Sequence, residues 1–303
     1  MIKILITGGA GYIGSNFLQN ISNKNYIVTV IDNLMFKQNE NNFKKISNCE
    51  FVKGDVRDKA LMKSLIKKND FIIPLAGLVG APLCDKFPKD AQEINSDSIK
   101  FICKNSSSEQ AIIMPVSNSG YGVGEKNKYC DENSPLNPVS LYGKTKVEAE
   151  SYIMNRQNSI SFRLATVFGV SKFRMRTDLM VNNFVQMAFY KKKLKLYEPE
   201  FRRNFVHIQD VSSAFLYSIE NFQKMKNNIY NLGLDDANIT KLELCEKIRD
   251  YIPQFEFEIA QGEKDPDQRD YYVSNKKLMN KGFKAKIQLD TGIKELINYL
   301  NKN

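Results

Sequence analysis

The sequence predicts an α/β protein built on a doubly wound parallel sheet, with a smaller α/β lobe towards its C-terminal end. Three observations carry that expectation. A short apolar run, Ile2 to Ile6, ends in the glycine-rich turn Thr7-Gly-Gly-Ala-Gly-Tyr-Ile-Gly14, after which apolar residues return at helical spacing at Phe17, Leu18 and Ile21. A second β-branched run, Tyr26 to Ile31, ends at Asp32-Asn33. Strand-length apolar runs then keep alternating with helical patterns as far as residue 164, as expected for parallel strands joined by crossover helices.

The elements follow in order. Phe51 to Asp55 reads as a strand and turn, residues 58–68 as a helix, and Phe71 to Ala76 as a strand. Residues 89–105 read as one long helix, Ala111 to Val116 as a strand, residues 140–155 as a helix and Ile160 to Leu164 as a strand. Residues 1–169 thus form a Rossmann-type nucleotide-binding domain. Beyond Gly169 the alternation weakens. A helix is expected over 178–192, with Asp178 as its N-cap, and a short strand at Lys195 to Tyr197. Phe205 to Ile208 has strand character, Asp210 can cap a helix running to Glu220, and Ile229 to Gly233 is another strand. Thr240 and Glu243 fit a capping box for a helix over 241–252. Residues 262–270, with Pro266, read as a loop, and 290–301 as an amphipathic helix. Segments near 205–235 are expected to return to the first domain, leaving 170–204 and 236–303 as the substrate lobe. There is no internal repeat or low-complexity linker.

Composition bounds the function. The 303 residues are 42% hydrophobic and 26% charged, ordinary for a soluble globular chain. The net charge of +10 comes from scattered lysines. The densest group, Lys191 to Lys193 with Lys195, is too short for a polybasic tail, so a solvated surface is favoured over nucleic-acid binding. A basic cleft would also draw a small anionic substrate. Five widely spaced cysteines without a Cys-x-x-Cys pair argue against a disulfide framework and a zinc site, and no metal is expected. The single histidine, His207, lies mid-strand and reads as a core or interface residue; one histidine leaves little for metal sites or a Ser-His-Asp triad. The chain opens without a secretory leader and has no apolar run of membrane-spanning length, so a cytoplasmic, non-membrane location is expected.

Gly8, Gly11 and Gly14 stand between a strand and a helix, where glycines let the backbone approach a pyrophosphate at the helix N-terminus. Asp32 can accept hydrogen bonds from a ribose diol and would repel a 2′-phosphate, favouring NAD(H) over NADP(H); alternatively it caps a turn. Asp55-Val56 follows the third strand, where an adenine amino group can be met. Tyr142 and Lys146 lie four residues apart and share one helix face, and with Ser117 they suggest proton and hydride chemistry.

Together these motifs, with Leu75-Ala76-Gly77, Ser117-Asn-Ser-Gly-Tyr-Gly122 and Arg163-Leu-Ala-Thr-Val-Phe-Gly169, resemble the extended short-chain dehydrogenase/reductases, the family of nucleotide-sugar epimerases and dehydratases. The resemblance spans nearly the whole chain. It implies a cofactor wall of Gly8, Gly11, Tyr12, Ile13, Gly14, Asp32, Asn33, Asp55, Val56, Leu75, Ala76 and Gly77. It makes Tyr142 the acid/base, with Lys146 favouring its phenolate and holding the nicotinamide ribose, and Ser117 binding the reacting hydroxyl. Dehydratases of this family carry Asp-Glu directly after the serine or threonine; here Asn118 and Ser119 stand there, which argues against loss of water. Oxidation of a sugar hydroxyl, most often at carbon 4, remains, ending either as a keto sugar or as an epimer.

The resemblance further implies sugar-nucleotide contacts from Ser117, Asn118, Ser119, Thr166, Asn182, Asn183, Arg203 and Arg269, with the two arginines on the diphosphate or, alternatively, in surface salt bridges. Asn204 stands where the family has an aspartate. Residues 74–84, 118–126, 173–184 and 201–205 are similar to a narrower group, the GDP-D-glycero-α-D-manno-heptose 4-dehydrogenases of capsule-sugar synthesis. That likeness implies tightly bound NAD/NADH, 2-oxoglutarate as its oxidant, and Val79, Gly80, Arg174 and Arg176 as sensors of the sugar or a second anion. Family pairing through two helices implies a homodimer, or a higher assembly, built on residues 89–105 and 140–155.

Overall fold

The computed structural model describes residues 1–22, 24–125, 128–190, 193–260 and 269–302. The chain begins with β1 (Ile2–Thr7), α1 (Tyr12–Ile21), β2 (Tyr26–Asp32), α2 (Asn41–Lys44), β3 (Cys49–Lys53), α3 (Lys59–Lys67) and β4 (Phe71–Pro74). It continues with α4 (Ala81–Lys86), α5 (Pro88–Gln92), a π-helical turn (Glu93–Asp97), α6 (Ser98–Asn105), β5 (Ala111–Ser117), a 3-10 turn (Asn118–Tyr121), β6 (Tyr129–Cys130) and α7 (Leu141–Met154). Then come β7 (Ser159–Leu164), β8 (Thr166–Phe168), α8 (Met180–Tyr190), β9 (Lys193–Leu196), β10 (Arg202–His207), α9 (Ile208–Glu220), α10 (Phe222–Met225) and β11 (Asn228–Leu232). The chain closes with β12 (Asn238–Thr240), α11 (Lys241–Tyr251), β13 (Glu256–Ile259), β14 (Tyr272–Val273), α12 (Lys276–Asn280) and α13 (Leu289–Lys302).

Among the described residues, seven strands form one parallel sheet in the order β11-β7-β5-β4-β1-β2-β3. This is the doubly wound, Rossmann-type sheet expected from the sequence. Its strands are apolar on both faces because helices cover both. Ile4, Ile6, Val28, Val30 and Ile73 face the side covered by α1 and α9, where Phe17 meets Phe215 edge-on at 5.6 Å. Leu5, Ile31, Ile72, Ile112 and Met114 face the side covered by α3, α6 and α7, with Met62, Ile66, Ile102 and Ile153. The strand order reverses between β1 and β4, and a ligand crevice opens at the C-terminal ends of strands at such a point.

Smaller sheets follow. β10 pairs parallel with β8 and antiparallel with β12, while β9 pairs with β13 and β6 with β14. β11 lies at the edge of the main sheet beside β7. Among the described residues no helix is long and apolar enough to cross a membrane.

Several boundaries differ from expectation for identifiable reasons. The helix expected over 89–105 is interrupted by the π turn, which brings Asn95 inward. Asp178 does not begin α8, which starts at Met180; its carboxylate pairs with Arg176 instead. Asp210 lies inside α9 rather than capping it, and accepts the backbone N–H groups of Lys286 and Ile287 at 3.0 and 2.8 Å. The cap is His207, whose Nδ1 accepts from Gln209 N. That bond leaves the proton on Nε2, which donates to Glu295 at 2.6 Å. By contrast the capping box of Thr240 and Glu243 forms as written. Lys191, Lys192 and residues 261–268, which include Pro266 and most of the expected loop, lie outside the described residues, as do residues 126 and 127.

Candidate active site

The glycine-rich turn is shaped for close approach. Gly8 has φ +67°, and a Cβ there would stand 2.5 Å from the Ala76 backbone nitrogen. A side chain at Gly14 would meet Gly9 Cα at 2.6 Å. Gly11 caps α1 without any side-chain hydrogen bond, so the first amides of the helix are left for an anion. The residues present therefore fit a dinucleotide pyrophosphate. Ile13 sits in that first turn, whereas Tyr12 sends its side chain elsewhere: its hydroxyl donates to Gly169 O at 2.6 Å, and burial pushes its pKa well above the usual range.

Asp32 ends β2. One carboxylate oxygen accepts from Ala10 N at 3.0 Å and the other from Leu34 N at 2.8 Å, so it braces the turn and retains lone pairs for a ribose. Burial raises its pKa and these two bonds lower it. Asn33 donates to Asp55 at 3.1 Å. The Asp55 carboxylate is engaged twice by Arg57, at 3.0 and 2.9 Å, and is held down to about 2. Arg57 also reaches Asp90 and Glu93. What remains for a base at this edge is the backbone of Asp55 and buried Val56.

Ser117 ends β5, Tyr142 lies in the first turn of α7, and Lys146 follows one turn later. Leu75 and Ala76 are pinned to Thr7, by Leu75 N to Thr7 O at 2.9 Å and Ala76 N to Thr7 Oγ1 at 3.3 Å. A Cβ on the adjoining Gly77 would lie 3.5 Å from Lys146 Nζ and 3.0 Å from Asn95 Oδ1. Ser117 Oγ accepts from Ser119 N at 3.1 Å, which orients it at the head of the 3-10 turn.

Charges from distant segments also bear on Tyr142. Burial pushes the Tyr142 phenol up to about 12; the charge of Arg269, the Ser117 side chain and, more weakly, Arg176 pull it back. Burial brings Lys146 down to about 8, with nearby Cys84 acting in the opposite sense.

Asn95 was not singled out by the sequence. Its Oδ1 accepts from Leu78 N at 2.8 Å, and its Nδ2 donates to Leu78 O at 2.9 Å and Thr145 Oγ1 at 3.3 Å. It locks the strand 4 loop to α7 through the residue beside Lys146. The only signal was a polar residue on the apolar side of a helical pattern. Glu150 and Arg163 were also missed as a pair. They form a buried ion pair at 2.6 Å, and Arg163 donates onward to Tyr121 Oη at 3.0 Å. One bond system thereby joins α7, β7 and the turn after Ser117.

The remaining expected residues divide. Gly80, with φ +99°, precedes α4 beside Val79, and Thr166 opens β8. Asn182 is buried and occupied: Oδ1 accepts from Gly169 N at 3.0 Å and Nδ2 donates to Arg176 O at 2.8 Å. Asn183 donates to Thr177 O at 3.1 Å. The Arg174 guanidinium lies over the Phe36 ring at 4.5 Å. Arg203 is fully buried, donates to Arg202 O at 2.9 Å and faces the Tyr271 ring. Arg176 and Arg269 are the two that act on Tyr142. Among the described residues no cluster of three or more His, Cys, Asp or Glu side chains is placed to hold a metal ion.

The NAD dependent epimerase/dehydratase family matches residues 4–233. The chain is 31% identical to the putative UDP-glucose 4-epimerase of Methanocaldococcus jannaschii, across 99% of both chains. It is 27% identical to the CDP-paratose 2-epimerase of Salmonella typhi, over 98% of this chain and 99% of that one. The fold matches dTDP-glucose 4,6-dehydratase from Bacillus anthracis in complex with NAD, with a TM-score of 0.84, 24% identity and coverage of 100% and 97% of the two chains. It matches the Thermus thermophilus UDP-glucose 4-epimerase complex with NAD equally well, with a TM-score of 0.84, 21% identity and 99% coverage of each. A family match over most of the length and full-length identity of 31% to one relative establish that this protein belongs to the NAD-dependent epimerase/dehydratase family, with NAD as its cofactor.

Proposed function

We propose that the protein oxidises the carbon-4 hydroxyl of a nucleotide-activated sugar. The observation that carries this reading is the sequence Ser117-Asn118-Ser119 beside Tyr142 and Lys146: a hydroxyl-activating set followed by two side chains that cannot ionise to expel water. Bound NAD supplies the hydride acceptor. Tyr142 takes the hydroxyl proton, and Ser117 holds the oxygen as negative charge develops. Lys146 holds the nicotinamide ribose. Arg269 and Arg176 keep cationic charge near the phenol, favouring its ionised form. The product is a ketone, with the proton passing from Tyr142 to solvent.

The substrate in this reading is GDP-D-glycero-α-D-manno-heptose, converted to its 4-keto form for capsule sugars, with 2-oxoglutarate reoxidising NADH. The likeness of residues 74–84, 118–126, 173–184 and 201–205 to that group supports it. Residues 170–204 and 236–303 are assigned to the nucleotide-sugar lobe, with Arg203 and Arg269 on the diphosphate, and a homodimer through the 89–105 and 140–155 helices. A second reading, a 4-epimerase acting on a UDP- or GDP-sugar, is favoured by the full-length likeness to the putative UDP-glucose 4-epimerase.

Incubation with GDP- and UDP-sugars, with and without 2-oxoglutarate, separates the two by mass spectrometry. A product lighter by two hydrogens, or its hydrate, supports the dehydrogenase. An isobaric product inverted at carbon 4 supports the epimerase and overturns the first reading.

A further inference from the structure

Ser117 ends β5 and Tyr142 lies in the first turn of α7, so their separation depends on how that helix sits against that strand end. The 3-10 turn after Ser117 does little to hold itself in place. The Asn118 amide has no hydrogen-bond partner at either end, and neither has the Ser119 hydroxyl. The turn is anchored through its last residue, Tyr121. The buried hydroxyl of Tyr121 donates to Asn231 Oδ1 on β11 at 2.7 Å and accepts from Arg163 Nη1 at 3.0 Å.

Arg163 connects this anchor to the helix that carries Tyr142. It lies on β7 beside Val116, in the register that sets Leu164 beside Ser117. Its Nε and Nη2 donate to Glu150 Oε1 at 3.1 and 2.6 Å, and Ser161 Oγ donates to Glu150 Oε2 at 2.9 Å. Glu150 follows Tyr142 and Lys146 at four-residue steps, so all three lie along one side of α7, each step advancing about 6 Å. A buried ion pair is by itself a poor way to add stability, since apolar side chains of similar volume often serve as well or better. A guanidinium fork adds something that apolar packing lacks, a set of directed bonds of fixed length. Here those bonds run from the helix of Tyr142 to the turn of Ser117.

We propose that Tyr121 and Arg163 are positioning residues for hydride transfer: braced on Glu150, they hold the Ser117 hydroxyl in hydrogen-bonding reach of the Tyr142 phenol. The inference rests on the reading of Ser117 and Tyr142 as the groups that meet the reacting hydroxyl. A displacement of about 1 Å at such a pair costs on the order of 100-fold in rate, so a brace outside the crevice governs the chemical step without touching substrate.

The test runs on the NAD-loaded protein. The Cζ carbon resonance of Tyr142, assigned by its loss in Tyr142→Phe, responds to the Ser117 hydrogen bond with no sugar present. Tyr121→Phe, which removes one oxygen, should shift that resonance in the same direction as Ser117→Ala. The kinetic arm uses the best substrate among GDP-D-glycero-α-D-manno-heptose, GDP-mannose and UDP-glucose. Tyr121→Phe should slow single-turnover reduction of bound NAD by about 10–100-fold and leave KM unchanged. Ser117→Ala should slow it by about 100-fold or more. The double variant should be no slower than Ser117→Ala alone, because Tyr121 acts through that serine. Losses that multiply, or an unmoved Tyr142 resonance, overturn the proposal. Should Tyr121→Phe fail to fold, Arg163→Lys takes its place with the same expected pattern, since an ammonium lacks the fork that holds Glu150 and Tyr121 together. If none of the three sugar nucleotides reduces NAD in the wild type, the proposed reaction falls, and the resonance alone still decides the positioning role.

Discussion

Asn95 and Asn118 are both buried beside the candidate catalytic residues, and their surroundings differ in every hydrogen bond. Asn95 stands on the wall that carries Lys146, held to Leu78 and Thr145. Asn118 stands on the wall that carries Ser117, held to nothing through its side chain. The first wall is finished by the protein itself, its helix α7 also carrying Glu150, paired with the buried Arg163. The second is left with three unpaired polar atoms. The contrast teaches that burial and hydrogen-bond satisfaction are set independently here. One asparagine spends its amide on the scaffold, and the other finds no partner for it within the protein.

The sharpest test of the two walls is Tyr142, which stands on α7 with Lys146 and hydrogen-bonds the Ser117 side chain across from it. Tyr142→Phe should lower single-turnover reduction of bound NAD by about 10²–10⁴-fold, the usual worth of a positioned acid/base, while copurified NAD stays. Full activity would remove Tyr142 from the proposed chemistry. On the finished wall, Glu150→Ala should destabilise the protein by about 3–5 kcal/mol, since it strands a buried guanidinium; urea denaturation measures it, and a loss below 1 kcal/mol would show the pair to be dispensable.

Lys146 gives a pH test with a defined sign. Its pKa is lowered to about 8 from the model-compound value of 10.5. Between those values the unfolded chain binds more protons than the folded one, so stability contributed by this group rises with pH across that window. Lys146→Met should therefore stabilise the NAD-free protein by up to about 3 kcal/mol below pH 8. That advantage should fade as pH approaches 10.5. A variant less stable than wild type at neutral pH would contradict the buried-charge account. The smallest effect separates the two asparagines directly. Asn95→Ala should cost about 1–3 kcal/mol by unpairing both backbone groups of Leu78. Asn118→Ala should cost less, and equal losses from the two would erase the comparison.

Features made by neighbours in the chain were legible beforehand. The glycine turn after Ile6, the parallel alternation and the Thr240–Glu243 capping box all depend on residues within a few positions of one another. Features decided by competition between distant partners were not. Asp178 and Asp210 have the chemistry of N-caps, yet Arg176 takes the first, and the Lys286 and Ile287 amides take the second. The π turn escaped notice because one extra residue in a helix leaves the local apolar spacing almost intact on either side. The charges of Arg269 and Arg176 near Tyr142 were not legible as such, because both residues arrive from segments far along the chain.

By itself the sequence determined the sheet, its crossovers, the phosphate-binding turn and the placing of Tyr142 and Lys146 on one helix face. Each follows from periodicity or from backbone needs that a short stretch expresses alone. Only the tertiary structure decided which polar groups are already satisfied. Asn95 and Asn118 are the same residue, and nothing in their own chemistry distinguishes them. Burial sets the cost of an unpaired amide, and only contacts brought from Leu78 and Thr145 determine which of the two escapes it.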